Sequence, residues 1–371
     1  MYRKHRLEVD PLSEQPSPSA EGRRLKKLPD YLRIDLGSIK PFHETLRYGH
    51  AVGRIRAQEM RLLMPHHLGR LIEAGYEEAL HILGEVEMGD YLAGAATARE
   101  VDDGLTAYLH DVYEFLREAL PKDSVLYEFF LCRYDFHNLK VLLKARREGT
   151  PEDALLPRMG RMDVEALRRG AENPVELPSP YKEVVTELAE SELPPRLMES
   201  VIDRHFLRYR LFLARWEGSD FMVEFARTCI DFANLKNLLR SRRLGREREE
   251  FQKTLVEGGY IQPGYLLELY GDPEELMLRK LERTRYSYRL LEMLEEGEER
   301  AGLSEFDRRS DDYIMDMLRA SRRISVGVEP VFSFIRAREN EVTMVRVILM
   351  AKLHNLAPAA IERMLRKLYI E

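Results

Sequence analysis

Residues Asp135 to Gly149 read DFHNLKVLLKARREG, and Asp231 to Gly245 read DFANLKNLLRSRRLG. Asp, Phe, Asn-Leu-Lys, Leu-Leu, an Arg pair and a closing Gly hold the same positions, 96 residues apart (231 − 135). A fainter third copy, EVTMVRVILMAKLHN, runs from Glu341 to Asn355, 110 residues further on (341 − 231). There Glu341 stands for the Asp, Arg346 for the Lys and Asn355 for the Gly. A segment stated three times commits most of the chain to copies of one supersecondary unit.

The copies read as helices. Phe136, Leu139 and Leu143, with Leu142 beside them, share one apolar face, as do Phe232, Leu235, Leu238 and Leu239, and Val342, Val345, Ile348 and Leu349. Gly149, Gly245 and Asn355 suit the left-handed position just past a helix end. Arg146 and Arg147, like Arg242 and Arg243, fall in the last turn, where cations complement the helix dipole. Asp135 and Arg146 land on the apolar side near its two ends, as do Asp231 with Arg242 and Glu341 with Lys352. Buried charges need partners. Either these acids and bases bridge helices within or between repeats, or they sit partly exposed at frayed ends. The repeat signature is therefore Asp135, Asn138, Lys140 and Arg146, then Asp231, Asn234, Lys236 and Arg242, then Glu341, Arg346 and Lys352.

A chain of 371 residues can bury a large core or divide into two or three units. One third of its residues are charged, yet the net charge is only −6, which argues against a protein built to wrap nucleic acid. Its two cysteines, Cys132 and Cys229, lack CxxC spacing and read as small buried hydrophobes. No apolar run reaches the length of a bilayer span, and Met1 to Asp10 is polar rather than signal-like, so a soluble cytosolic protein is expected.

Residues 1–30, rich in Pro and Ser and ending in Arg23, Arg24, Lys26 and Lys27, read as a disordered tail: a solubilising extension, or one that touches an acidic partner or lipid headgroups. Three helical units follow, at 31–150, 151–250 and 251–371. Helix patterns run from Pro41 to Met64, stopped by Pro65, then from Leu68 to Gly84 in two pieces broken near Gly75, and from Val101 to Leu120. The second and third units open alike, LLPRMGRMDVEAL to Leu167 and TLVEGGYIQPGYL to Leu266, 99 residues apart (266 − 167). Asp163 suits an N-cap and Pro263 a first helical position. Long helices are expected over Leu197 to Trp216 and Leu276 to Leu294. No sustained alternation calls for a sheet. The fold class is all-α.

Catalytic signatures are missing. There is no GxxxxGK[ST], HExxH or GxSxG, and the adjacent His66 and His67 point about 100° apart on a helix. The acidic run DDYIMD offers Asp311, Asp312 and Asp316, which could hold magnesium in an all-helical isoprenoid enzyme. The simpler reading makes Ser310 an N-cap, the acids a first turn, and Arg319, Arg322 and Arg323 its end. RNA binding would use the basic clusters and aromatics, but those residues alternate with acids or sit at core spacing, so solvated helix ends account for them better.

In its order of motifs the chain resembles the C subunit of the bacterial and archaeal V/A-type rotary ATPases, related to the d subunit of the eukaryotic V-ATPase. The motifs are YGHAVGRIRAQEMRLL, GYEEAL, YDFHNLKVLLKARREG, IDFANLKNLLRSRRLG, GGYIQPGYL and ENEVTMVRVILMAK, spread from about Tyr31 to Tyr369. The resemblance implies a funnel of three pseudo-symmetric helical units around a central cavity. It implies a non-catalytic central-stalk subunit with no cofactor. Its partners would be the rotor shaft of the catalytic head and the membrane proteolipid ring, on the cytoplasmic face, for ATP-linked H⁺ or Na⁺ transport. Two departures stand out: Met344 fills the slot of Asn138 and Asn234, and the Pro/Ser-rich tail is an addition. A helical-repeat scaffold with an open groove is the other class the sequence admits.

Overall fold

The computed structural model describes residues 46–150, 155–191, 193–286 and 302–370. Every regular element among them is helical, as the missing alternation requires. In chain order the helices are α1 (Gly49–Glu59), α2 (Pro65–Glu73), α3 (Tyr76–Leu83), α4 (Gly89–Leu92), α5 (Ala98–Ala119), α6 (Leu126–Glu148), α7 (Val164–Glu172) and α8 (Tyr181–Ala189). They continue as α9 (Pro195–Glu217), α10 (Asp220–Arg243), α11 (Arg248–Lys253), α12 (Pro263–Gly271), α13 (Glu274–Leu281), α14 (Gly302–Ala320), α15 (Val328–Leu353) and α16 (Pro358–Met364).

Local chemistry sets these boundaries. Thr97 and Glu100 exchange hydrogen bonds with each other's backbone N–H, a reciprocal cap that starts α5. Asp163 caps α7 by accepting from Glu165 N and Ala166 N at 3.0 and 3.1 Å, and Pro263 is the first residue of α12. Gly75 separates α2 from α3. Some sequence boundaries move. Pro65 begins α2 rather than merely stopping α1, which has ended at Glu59. The expected Leu276–Leu294 helix ends at Leu281, and its residues from 287 on lie outside the described residues, as does the tail at 1–30. Ser310 is not an N-cap, because α14 already runs from Gly302.

The signature segments form the C-terminal halves of α6, α10 and α15. All three end alike. Gly149, Gly245 and Asn355 take φ of 66, 58 and 55°, and the next N–H reaches back to the carbonyl of Ala145, Ser241 or Ala351. This closure needs a left-handed residue, which Gly tolerates best and Asn next best.

The chain divides into two compact units. Among the described residues, one takes the chain from Glu128 to Tyr286; the other takes the stretch up to Tyr127 and the stretch from Gly302 on, so the second is assembled from two distant stretches. In the first unit, α9 and α10 form a long antiparallel hairpin through Gly218, which is left-handed, and Ser219, which caps α10. Phe136 packs there against the rings of Tyr181, Phe206 and Tyr209. In the second unit, α15 is the central helix, packed against α5, α1, α14 and α16, and most of its residues are buried. Cys132 is fully buried and Cys229 partly so; both are free thiols.

Candidate functional site

The signature residues converge on one device, built three times. Asp135 is fully buried, and its carboxylate accepts from Arg161 N (3.2 Å), Met162 N (3.0 Å) and the Tyr181 hydroxyl (2.8 Å). Asp231, also fully buried, accepts from Tyr260 N (2.9 Å), Ile261 N (3.0 Å) and the Tyr286 hydroxyl (2.6 Å). In the second unit Glu341 accepts from Leu63 N, while Arg338 Nη1 at 3.2 Å takes the place of the tyrosine. The three amides are evenly spaced, 99 residues apart each time (162 − 63 and 261 − 162).

The base of each copy grips the other end of the same short helix. Arg146 donates to Ala171 O (2.7 Å) at the end of α7. Arg242 Nη1 donates to Leu269 O, Tyr270 O and Asp272 O at the end of α12. Lys352 donates to Ile72 O (3.0 Å) and Ala74 O at the end of α2. A carboxylate beside the helix start and a cation on its last carbonyls satisfy orphan backbone groups and complement the dipole at both ends. The acids and bases thus each meet main chain; Asp135 and Asp231 do not pair with signature bases. The expected bridging of elements is there, but its counterpart is peptide groups, and a guanidinium joins only at Glu341.

Burial pushes the carboxyl of Asp135 up to about 6, against the pull of its three donors, and moves Asp231 upward in the same way. Burial takes Glu341 to about 7 in spite of Arg338.

The amides of the signature vary. Asn234 exchanges two hydrogen bonds with Val256, at 2.7 and 2.8 Å. Asn138 makes one, to Pro157 O at 2.9 Å, and its Oδ1 is buried without a partner because proline has no N–H to offer. Met344 is fully buried in the same slot, and the corresponding carbonyl, Gln58 O, accepts from Arg338 instead. The signature cations Lys140 and Arg346 pair with Asp203 and Asp102 on the neighbouring long helices, at 2.5 and 2.6 Å. Lys236 is half-buried on α10, where it lines a groove of about 500 Å³ together with Lys144, Glu199, Asp203 and Arg240.

Sequence reasoning missed the glycines. A Cβ on Gly160 would overlap Asp135 Oδ1, and one on Gly259 would overlap Asp231 Oδ1. These two glycines are again 99 residues apart (259 − 160), a spacing that was available to find them. The hydroxyls of Tyr181 and Tyr286 and the guanidinium of Arg338 carried no such signal.

The acidic run is committed within the chain. Asp311 pairs with Arg366 (2.5 Å), Asp312 with Arg308 (3.0 Å) and Lys367 N (2.7 Å), and Asp316 with Lys367 and Arg319. These acids clamp the C-terminal segment, which corrects the magnesium-site reading. Among the described residues no group of three His, Cys, Asp or Glu is placed to hold a metal ion. No described helix is long and apolar enough to cross a membrane.

The family model of the ATP synthase (C/AC39) subunit matches residues 51–364, and so spans all three docks. The chain belongs to that family. It is 27% identical over 342 residues to the C subunit of the A-type ATP synthase of Methanocaldococcus jannaschii, covering 86% of each chain. It is 27% identical over 316 residues to that of Desulfurococcus sp., covering 81% of this chain and 85% of the relative. The C subunit of the V-type sodium ATPase of Enterococcus hirae is 23% identical over 321 residues, covering 85% of this chain and 97% of the relative. Family membership therefore runs through the whole described fold rather than one module of it.

Proposed function

We propose that this chain is a non-catalytic central-stalk subunit of a V/A-type rotary ATPase, joining the shaft of the catalytic head to the membrane proteolipid ring. The observation that carries the reading is the family match across residues 51–364. Relatives named for an A-type ATP synthase and for a V-type sodium ATPase support a role in ATP-linked movement of H⁺ or Na⁺. In this reading the protein is peripheral, on the cytoplasmic face, with no cofactor, and works by transmitting torque.

Its three helical units, 31–150, 151–250 and 251–371, would form a funnel around a central cavity. The threefold recurrence of the dock supports that arrangement. A torque adaptor needs stiffness, and tying each short helix at both ends supplies it. Small-angle scattering tests the shape; an extended profile would instead favour an open scaffold.

The function is tested by deletion. Membranes lacking the chain should keep a head that hydrolyses ATP while ATP-driven ion pumping is lost, and re-adding the chain should restore pumping. A pull-down from detergent-solubilised membranes should bring down shaft and ring proteins together. Full pumping in its absence overturns the assignment.

A further inference from the structure

The ends of α6 and α10 carry a pair of cations at the same register, and the two pairs are used differently. In the first copy Lys144 Nζ pairs with Glu199 Oε1 at 3.0 Å, and Arg147 Nη1 donates to Leu193 O at 2.6 Å. Glu199 lies near the start of α9 and Leu193 just ahead of it, so this pair holds a helix start that carries an acid. In the second copy the counterparts are Arg240 and Arg243 (144 + 96 = 240, 147 + 96 = 243). Both are exposed, and among the described residues no hydrogen bond or ion pair engages either side chain.

Beside them, Leu244 stands where the first copy has Glu148, and it is 58% exposed. Arg240, Arg243 and Leu244 fall at i, i+3 and i+4, on one face of the turn that closes α10. Arg240 is also on the wall of the groove of about 500 Å³ between α6, α9 and α10. Apolar side chains line that groove too: Phe206, Leu207, Ala233 and Val256.

The first copy says what such a pair binds: one carboxylate and one main-chain carbonyl. We propose that the groove and the ledge of Arg240, Arg243 and Leu244 dock an acidic helix start of a partner protein. Its carboxylate meets Arg240, a carbonyl ahead of the helix meets Arg243, and an apolar side chain covers Leu244. A guanidinium suits this task better than the ammonium of Lys144, because its planar fork matches a carboxylate. The acid is also favourable on the partner's side, near the positive end of its own helix. Other occupants fit less well. A flat lipid surface does not enter a groove, and a nucleic acid would meet Glu148, Glu199 and Asp203 on the walls. The proposal does not depend on the rotor reading, since the partner is defined by its chemistry alone.

The test places a photoreactive phenylalanine analogue at position 244 of the full chain, in cells that make it, and identifies the cross-linked peptide by mass spectrometry. The expected product joins position 244 to another protein, at a helix with Asp or Glu in its first two turns. Arg240→Glu and, separately, Arg243→Glu should each lower its yield about tenfold. Their urea midpoints should stay at the wild-type value, because neither side chain is bound within the described fold. A product with lipid, with nucleic acid or with a second copy of this chain overturns the proposal. So do the absence of any product and a yield that neither charge reversal lowers. A rotary complex that pumps normally without giving the product sinks this proposal and leaves the function proposed above; an acidic helix start on a protein outside any such complex does the reverse.

Discussion

The backbone N–H of Leu63 donates to the carboxylate of Glu341, a residue 278 positions along the chain. Met162 makes the same contact with Asp135, and Ile261 with Asp231. The three contacts differ in one coupled detail. Where the acid is Asp, a glycine lies against it (Gly160 or Gly259). Where the acid is Glu, one methylene longer, Arg61 holds the glycine's register position (160 − 99 = 61). The dock whose acid is one methylene longer is thus the one that carries a side chain at this position.

Gly160→Ala should therefore destabilise the protein by about 1–3 kcal/mol, the usual cost of overpacking a tight contact. Gly259→Ala should do the same. Gly264→Ala, in α12 with open space around its Cβ position, should cost nothing or stabilise. Urea midpoints of the three variants check this; equal effects at all three positions would show that the close approach is unimportant.

Asn234→Ala should cost about 1 kcal/mol more than Asn138→Ala, because one removes two buried hydrogen bonds and the other a single one. The comparison cancels the loss of packing common to both. Thermal unfolding of the two variants at equal concentration reads the difference.

Arg242→Ala frees three carbonyls at the end of α12 and should cost roughly 2 kcal/mol, with Arg242→Lys intermediate. Hydrogen exchange gives the sharper readout. Amide protection should fall in α12 before it falls in α9, and uniform loss across the unit would argue against a local clamp.

The buried acids impose an unusual pH dependence. Burial raises Asp135 to about 6 and Glu341 to about 7, whereas in the unfolded chain such groups titrate near ~4. Between those values the folded state holds the proton and the unfolded state does not, so stability falls as pH rises. The contribution is full below about 4 and lost as pH passes about 6 for Asp135 and about 7 for Glu341. Asp135→Asn cannot titrate there. Relative to it, the wild type should lose on the order of 2–3 kcal/mol between about pH 4 and pH 7. Chemical denaturation of both proteins across that range measures the difference, and parallel curves would place Asp135 at an ordinary carboxylate pKa.

The helices and their repetition were legible because period and capping are local. The 3.6-residue apolar stripe, the closing Gly or Asn and the Asp163 cap all appear in the structure where the spacing puts them. The partners of the buried charges were not legible. A peptide N–H belongs to every residue but proline, so nothing in the letters marks Met162 or Ile261 as donors. The N-terminal copy of the short helix was also hidden. Its match to α7 and α12 is a matter of register, with Leu68, Leu167 and Leu266 in line, while its signature helix stands at the far end of the chain.

That separation bears on how the protein is made. A ribosome releases Leu63, Ile72 and Ala74 long before it has built Glu341 and Lys352, which receive or grip them. The described part of the first unit needs only consecutive chain from Glu128 onward, so its α6–α7 dock can form during synthesis. The second unit has to close a loop of nearly three hundred residues, and the entropy of such closure grows only logarithmically with length. Helix α15 is thus the closing piece of its unit, and a nascent chain that stops short of it leaves α1 to α5 without their central helix.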